Sequence, residues 1–146
     1  MKERLLDKLV SHRLRGYDRC ENSLAALEAA MAATVPPPAI EIDTRLTLDG
    51  HIVVYHDPSF RDSLGRRIDI ARTSWADIQT LSKDSPIPDL DGFLAVFRES
   101  SIGRILIDIK DFGMEHAHVE LVRKHDLVDR TVFVSWVPHV LRELDG

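Results

Sequence analysis

The chain has 146 residues, 44% hydrophobic and 29% charged, which is an ordinary globular composition and enough for one hydrophobic core. The formal net charge of −5, with Lys and Arg scattered among acidic residues, excludes the basic footprint of a nucleic-acid-binding protein. A single cysteine, Cys20, excludes an intramolecular disulfide, and no run approaches the roughly 20 apolar residues of a membrane-spanning helix, so we expect one cytoplasmic domain without a transmembrane segment.

The first third of the chain predicts a strand, a helix and a second strand. The predicted ranges are a strand at 9–12, a loop at 13–20, a helix at 23–33 and a strand at 39–43. Almost every residue of 23–33 is a strong helix former, and either Asn22 or Ser23 can cap the helix. The Pro36-Pro37-Pro38 run prevents the helix from continuing.

The segment 51–56 is β-branched and extended, and it follows a turn signal at Leu48-Asp49-Gly50. The link to the preceding strand is too short for a helical crossover. One alternative is a hairpin with a two-residue loop at Asp49 and Gly50, which places Asp43 directly opposite His56. The other is two parallel barrel strands joined by extended chain.

The remaining two thirds predict alternating helices and strands, which indicates an α/β fold with a mostly parallel sheet. The predicted ranges are a helix from 73 or 74 to 81, a helix at 90–99, a strand at 104–110, a helix at 115–124, a strand at 131–136 and a helix beginning at Pro138. The histidines His51, His116, His118, His125 and His139 are expected at the surface. We expect Trp75 and Trp136 to take part in packing.

Glu41 and Asp43 form the most informative pair of side chains. Residues two apart on a strand share a face, so both carboxylates project together while Ile40 and Ile42 are buried behind them. Two adjacent carboxylates repel each other unless a cation lies between them. A hard divalent cation takes oxygen ligands and removes this repulsion, so the pair favours metal-assisted chemistry.

Further charged residues lie where predicted strands end. Four pairs share this position: His12 with Arg13, Glu41 with Asp43, His56 with Asp57, and Asp108 with Lys110. In β/α barrels the carboxyl ends of the strands form the catalytic rim. Each pair alone is more often a solvated strand end, and it is the ordered set that indicates function.

The set resembles the glycerophosphodiester phosphodiesterase family, whose pattern runs His-Arg-Gly, Glu-Asn-Thr, Glu-x-Asp, Thr-x-Asp-Gly, His-Asp and Ile-Glu-x-Lys. The corresponding stretches here are His12-Arg13-Leu14, Glu21-Asn22-Ser23, Glu41-Ile42-Asp43, Thr47-Leu48-Asp49-Gly50, His56-Asp57 and Ile107-Asp108-Ile109-Lys110. Order and approximate spacing hold from residue 12 to about 141. Residues 1–146 are therefore predicted to be a partial domain of this kind.

The resemblance implies a TIM-type β/α barrel of which about the first five strands are present. It also implies metal-dependent hydrolysis of a small-molecule glycerophosphodiester to an alcohol and sn-glycerol 3-phosphate. The implied roles are acid and base for His12 and His56, ligation of Mg²⁺ or Ca²⁺ for Glu41, Asp43 and Asp108, and phosphate binding for Arg13 and Lys110. Which histidine is the base stays open, as does attack by water or by the glycerol hydroxyl.

Two positions differ from the family pattern. Leu14 replaces a glycine, so the first loop is expected to differ if that position needs a left-handed backbone. Asp108 replaces a glutamate and is one methylene shorter, so we expect the ion to lie closer to the strand or to be reached through water. The family's final third is not matched, and a half-barrel exposes strand edges. Three alternatives would account for such a half-barrel. The chain forms a homo-oligomer, it is a fragment, or it is a noncatalytic protein of the same fold, either a truncated remnant or a regulatory or binding subunit.

Overall fold

The computed structural model describes residues 8–144. In chain order its elements are β1 (Val10–His12), α1 (Leu24–Ala32), β2 (Ala39–Leu46), β3 (Ile52–Val54), β4 (Ser59–Arg61), β5 (Arg67–Asp69), α2 (Trp75–Leu81), α3 (Leu90–Arg98), β6 (Arg104–Ile109), α4 (Glu115–Lys124), β7 (Thr131–Val134) and α5 (Pro138–Glu143). No helix among these is long and apolar enough to cross a membrane.

Four parallel strands form the frame of the fold, in the order β1-β2-β6-β7. Helices connect them, as parallel crossovers require. On the central strand β2, Ile40 and Ile42 are fully buried in the main core, and Glu41 and Asp43 alternate with them on the opposite face. This arrangement confirms the predicted α/β class and places the polar face of β2 on the inner side of a partial barrel.

Local sequence explains where the helices begin. The Ser23 side chain caps α1 by accepting a hydrogen bond from the Ala26 N–H at 3.1 Å, so Ser23, and not Asn22, is the cap. Ser74 caps α2 and Asp89 caps α3 in the same way. Pro138 occupies the first turn of α5, where its missing N–H leaves no intrahelical bond unmade.

The predicted hairpin forms, but its predicted register is wrong. Strand β3 pairs antiparallel with β2, and Leu46 lies opposite Ile52, so that the loop contains the five residues 47–51 and not two. The Thr47 hydroxyl stabilises this wider loop by accepting from the His51 N–H at 2.9 Å. Because the loop has an odd number of residues, Asp43 faces Tyr55 instead of His56, and the Tyr55 N–H donates to the Asp43 carbonyl.

Strands β4 and β5 form a separate hairpin that the sequence did not predict. Each has only three residues, and charged residues interrupt any apolar alternation. The Asp62 carboxylate holds the turn by accepting from the backbone N–H groups of Leu64 and Arg66 and from the Arg66 guanidinium. A second, smaller core lies against this hairpin and contains Val53, Phe60, Ile70, Ile78 and Ile87.

Three of the expectations about exposure are wrong. His118 and His125 are 3% and 8% exposed, although we expected both at the surface. The His118 Nδ1 donates to the Met114 carbonyl, its Nε2 lies 2.9 Å from the Thr44 hydroxyl oxygen, and burial lowers its pKa. Trp136 was expected in packing, but it is 88% exposed.

The first loop contains two consecutive left-handed residues, Arg13 at φ 55° and Leu14 at φ 56°. The backbone therefore adopts, with leucine at position 14, a conformation that normally favours glycine. The Leu14 side chain is fully buried in the main core. Burial of a leucine stabilises by about 1.5–3 kcal/mol, which offsets the 1–2 kcal/mol cost of the left-handed backbone.

This balance predicts an unusual order of stabilities at position 14. Leu14→Ala is expected to lose about 2–5 kcal/mol of the free energy of unfolding, because it loses the buried side chain and keeps the backbone strain. Leu14→Gly is expected to be about 1 kcal/mol more stable than Leu14→Ala, the reverse of the usual order. Urea unfolding of the three proteins measures both differences. A glycine variant less stable than the alanine variant would contradict the strain argument.

Candidate active site

Three carboxylates converge on the inner face of the sheet, as their positions in the sequence predicted. Asp43 on β2 lies directly opposite Asp108 on β6, and Glu41 is two residues earlier on β2. One carboxylate oxygen from each of the three lies within 4.8 Å of the other two. The side chains of Asp43 and Glu41 are only 1% and 12% exposed. The pairing of β2 with β6 creates this cluster.

Two cations contact the same cluster. The Lys110 ammonium lies 3.1 Å from Asp43 Oδ1 and also binds Asp108 Oδ2. The Arg13 guanidinium nitrogen Nε lies 3.1 Å from Asp43 Oδ2. Both cations were predicted for the substrate phosphate, and in this structure both contact Asp43. Burial alone would lower the pKa of Lys110, but the carboxylates of Asp108 and Asp43 outweigh burial and raise it.

Among the three carboxylates and the two cations that contact Asp43, the charges balance when Glu41 is protonated. Asp43 and Asp108 carry two negative charges, and Arg13 and Lys110 carry two positive charges. Glu41 would add a third, uncompensated anion in a desolvated position. The pKa of Glu41 is accordingly raised to about 7. Burial is the largest cause and the negative charge of Asp43 is the second, whereas a hydrogen bond from the Arg13 N–H opposes the shift.

Asn22 holds Asp43 in place, a role that the sequence did not reveal. The Asn22 amide donates to Asp43 Oδ2 at 3.0 Å, and its carbonyl oxygen accepts from the Asp43 backbone N–H at 3.3 Å. Asn22 is 2% exposed and left-handed at φ 53°, which asparagine tolerates better than most residues. Glu21 accepts hydrogen bonds from Arg13 and Arg15 and so orients Arg13 toward Asp43. The Glu21-Asn22 pair of the motif is the sequence signal from which these two roles could have been predicted.

The two candidate histidines have different environments. His12 ends β1 opposite Glu41, and its Nε2 lies 3.8 Å from Glu41 Oε2, so it belongs to the carboxylate cluster. His56 follows β3, and among residues 8–144 no ion pair or hydrogen bond joins its ring to that cluster. Its Nδ1 lies 2.7 Å from Asp57 Oδ1. A carboxylate accepts, so Nδ1 donates, and Nε2 is left free to exchange a proton.

Arg45 and Asp111, which the sequence did not single out, connect the segment containing His56 to the loop after Lys110. The Arg45 guanidinium donates from Nε to the His56 carbonyl and from Nη1 to Asp111 Oδ1, each at 2.9 Å. The second Asp111 oxygen accepts from the Leu46 N–H at 2.9 Å. These bonds fix the backbone of His56 relative to the end of β2. No local sequence signal distinguishes such a long-range pair from ordinary surface charges.

The model of the Glycerophosphoryl diester phosphodiesterase family matches this chain over residues 12–136. This range includes the carboxylates, the cations and both histidines described above. The chain belongs to this family. Membership agrees with the resemblance drawn from the motifs and accounts for their order along the chain.

Individual members of the glycerophosphodiester phosphodiesterase family give the same assignment. Lysophospholipase D GDPD1 of Mus musculus is 27% identical over 124 residues, which are 75% of this chain and 38% of that protein. The crystal structure of glycerophosphodiester phosphodiesterase from Thermotoga maritima is 28% identical with a TM-score of 0.74, and the match covers 94% of this chain and 57% of that one. A family structure from Agrobacterium tumefaciens, 23% identical with a TM-score of 0.77, supports the fold over 93% of this chain and 60% of that one.

The chain therefore spans between about two fifths and three fifths of the length of these relatives. The shared part contains the four parallel strands, which confirms the partial TIM-type barrel. Of the five strands predicted for the barrel, β3 is the exception, because it is an antiparallel partner of the end of β2.

The carboxylate cluster fits a divalent cation, which is what the glycerophosphodiester phosphodiesterase family implies. Asp108 Oδ1 is buried and accepts no hydrogen bond from any residue of 8–144, and Asp43 Oδ1 is contacted by Lys110 without hydrogen-bond geometry. Oxygen ligands at 2.3–2.6 Å from a shared ion lie at most about 5 Å apart, in agreement with the observed separation. Two added positive charges would also let Glu41 ionise.

The raised pKa of Glu41 predicts a pH-dependent stability of the metal-free protein. The pKa is about 7 in the folded protein and has its ordinary value of 4.5 in the unfolded chain, so the fold retains a proton that the unfolded chain loses. Glu41 therefore contributes stability below pH 4.5 that is lost as the pH rises through 7, by up to about 3 kcal/mol. Urea unfolding in chelator measures the free energy of unfolding of wild type and of Glu41→Gln at pH 5 and at pH 8. We expect wild type to be less stable relative to Glu41→Gln at pH 8 than at pH 5, because glutamine does not titrate. A stability difference independent of pH would contradict the assignment.

Proposed function

We propose that this chain contributes the catalytic rim of a metal-dependent phosphodiesterase, which hydrolyses glycerophosphodiesters to an alcohol and sn-glycerol 3-phosphate. The observation that supports this function best is the convergence of Glu41, Asp43 and Asp108, beside His12, on one end of a parallel sheet. Phosphodiester hydrolysis needs a cation at the nonbridging oxygens, a proton acceptor and a proton donor. Membership in the family supports the same reaction class.

In this proposal Glu41, Asp43 and Asp108 would hold Mg²⁺ or Ca²⁺, and the ion would act as a Lewis acid on the phosphate oxygens. His12, whose side chain is 58% exposed beside Glu41, and His56, oriented by Asp57, exchange the protons of the attacking and leaving oxygens. Lys110 supplies a point charge to the phosphate, and Arg13 supplies a planar donor. Asn22 and Glu21 hold Asp43 and Arg13 in their positions.

The reaction is tested by incubating the protein with glycerophosphocholine in two separate conditions, one with added Mg²⁺ or Ca²⁺ and one with excess chelator. We expect release of choline and sn-glycerol 3-phosphate that stops in chelator and returns when the cation is restored. Hydrolysis of bis(p-nitrophenyl) phosphate provides a second substrate under the same conditions. Absent turnover, or turnover insensitive to chelator, would overturn the proposal and favour a protein of this fold that only binds a ligand.

A further inference from the structure

Residues 8–144 form four strand–helix units of a barrel. Helix α1 follows β1, α3 follows β2 after an insertion that contains β3, β4, β5 and α2, α4 follows β6, and α5 follows β7. Each of these four helices contributes buried residues to the main core. A TIM-type barrel contains eight such units, and all its strands are parallel. The described residues therefore supply four consecutive units, which are half of a closed barrel.

Both edges of the parallel sheet are open. Within residues 8–144, β1 pairs only with β2, and β7 pairs only with β6 among the strands. The outer N–H and C=O groups of β1 and β7 are therefore available to pair with another strand. Because β1 and β7 run in the same direction, a strand that continues the barrel at either edge must also be parallel to them.

The inner face of the sheet exposes valines at both edges. Val10 lies two residues before His12, the register partner of Glu41, so Val10 shares the inner face. Val132 is in register with Leu106, which is itself in register with Glu41, so Val132 shares this face too. The two valines are 44% and 42% exposed, although branched side chains of this kind fill the interior of a closed barrel.

We propose that two copies of this chain close one eight-stranded barrel, with β7 of each copy parallel to β1 of the other. A two-fold axis along the barrel relates the halves and keeps all eight strands in one direction. The same β7–β1 pair then forms at both seams, and no strand edge stays open. A second copy fits because four strands are half of eight and because joining β7 to β1 continues the observed parallel order β1-β2-β6-β7.

The candidate active site is incomplete without the second copy. His12 ends the edge strand β1, and its side chain is 58% exposed, so it lies at a seam that β7 of the other copy would close. Closure would exclude water from the inner face and strengthen the electrostatic interactions of the carboxylate cluster. The assembly does not depend on the proposed reaction, because the open edges and the exposed valines are independent of any chemistry.

Analytical ultracentrifugation of the 146-residue chain at micromolar concentrations measures its association. We expect a dimer, and no larger species, because closure at both seams leaves no edge for a third copy. A monomer throughout this range would overturn the proposal. A series of larger assemblies would also overturn it, because such a series requires a contact that does not close.

Charged substitutions of the two valines test the seams. Val10→Lys and Val132→Glu place a charge where a single copy is exposed to solvent but the closed barrel is not. Each homodimer would bury two such charges without a partner, so we expect its dissociation constant to rise at least about 100-fold. Val35→Lys and Val35→Glu are the controls, because Val35 is 81% exposed between α1 and β2, outside both seams, and both should dimerise like wild type.

Mixing the two seam variants tests which edges meet. In the mixed dimer one seam pairs two unaltered strands, and the other contains a lysine and a glutamate of opposite charge. We expect this dimer to be at least about tenfold tighter than either variant with itself. Recovery also shows that both variants are folded. Wild-type dimerisation of either variant alone, or no recovery in a mixture of variants that circular dichroism shows to be folded, would overturn the β7–β1 pairing.

Choline release from glycerophosphocholine separates this inference from the proposed function. A dimer with the expected seam behaviour but without hydrolysis would support the assembly and overturn the proposed reaction. Turnover is expected to follow the fraction of dimer as the protein is diluted. Undiminished turnover by the monomeric seam variants would support the reaction and overturn the claim that the second copy completes the site.

Discussion

Replacing Asp43 with asparagine is expected to abolish divalent-cation binding and to reduce glycerophosphodiester hydrolysis by about 10³-fold or more. Asp43 lies at the centre of the carboxylate cluster and contacts both Arg13 and Lys110. Asparagine has nearly the same shape but no charge. With Glu41 ionised, the three wild-type carboxylates exceed the two cations by one negative charge, whereas in Asp43→Asn the two cations balance the two remaining carboxylates and leave no net negative charge to attract a divalent ion.

Metal binding and activity are measured separately in this variant. Calorimetric titration with Mg²⁺ and Ca²⁺ gives the affinity, and choline release from glycerophosphocholine gives kcat/KM. Asp129→Asn is the matched control, because Asp129 is exposed and lies outside the cluster. Circular dichroism confirms that both variants are folded. A wild-type affinity for both cations in Asp43→Asn would disprove the metal site.

Replacing either candidate histidine with alanine is expected to lower kcat for glycerophosphocholine by about 10²–10⁴-fold, the usual contribution of a general acid or base. Divalent-cation affinity should change little, because neither imidazole is one of the three converging ligands. The same substitution at His116, which is exposed on α4, is the control and is expected to have no effect. Near-wild-type turnover in both His12→Ala and His56→Ala would end the catalytic assignment.

A second substrate distinguishes the acid from the base. p-Nitrophenolate leaves without protonation, so bis(p-nitrophenyl) phosphate does not need the general acid. The variant that lacks the acid is therefore expected to lose much less activity on this substrate than on glycerophosphocholine, whereas the variant that lacks the base loses activity on both. Because Asp57 orients His56 and leaves Nε2 free, Asp57→Asn is expected to weaken the His56 step selectively.

The sequence predicted most of the elements because their signals are local. Helix α4 is observed over the predicted residues 115–124, because the residues that favour or end a helix act over only a few positions along the chain. The register of β3 was missed because the loop conformation depends on the hydrogen bond between Thr47 and His51. The role of Asn22 was missed for a similar reason, because its partner Asp43 is 21 residues away. Strands β4 and β5 are too short to produce a periodic pattern.

The sequence by itself determined the chemistry that is available: the alternation in Ile40-Glu41-Ile42-Asp43 assigns the carboxylates to one face, and the ordered motifs indicate the family. Only the tertiary structure decided that Asp43 meets Asp108 across the β2–β6 pair and that Lys110 and Arg13 contact these two carboxylates. A period of two is a property of a single strand. Distances between strands, and with them the raised pKa of Glu41, depend on how the whole chain packs.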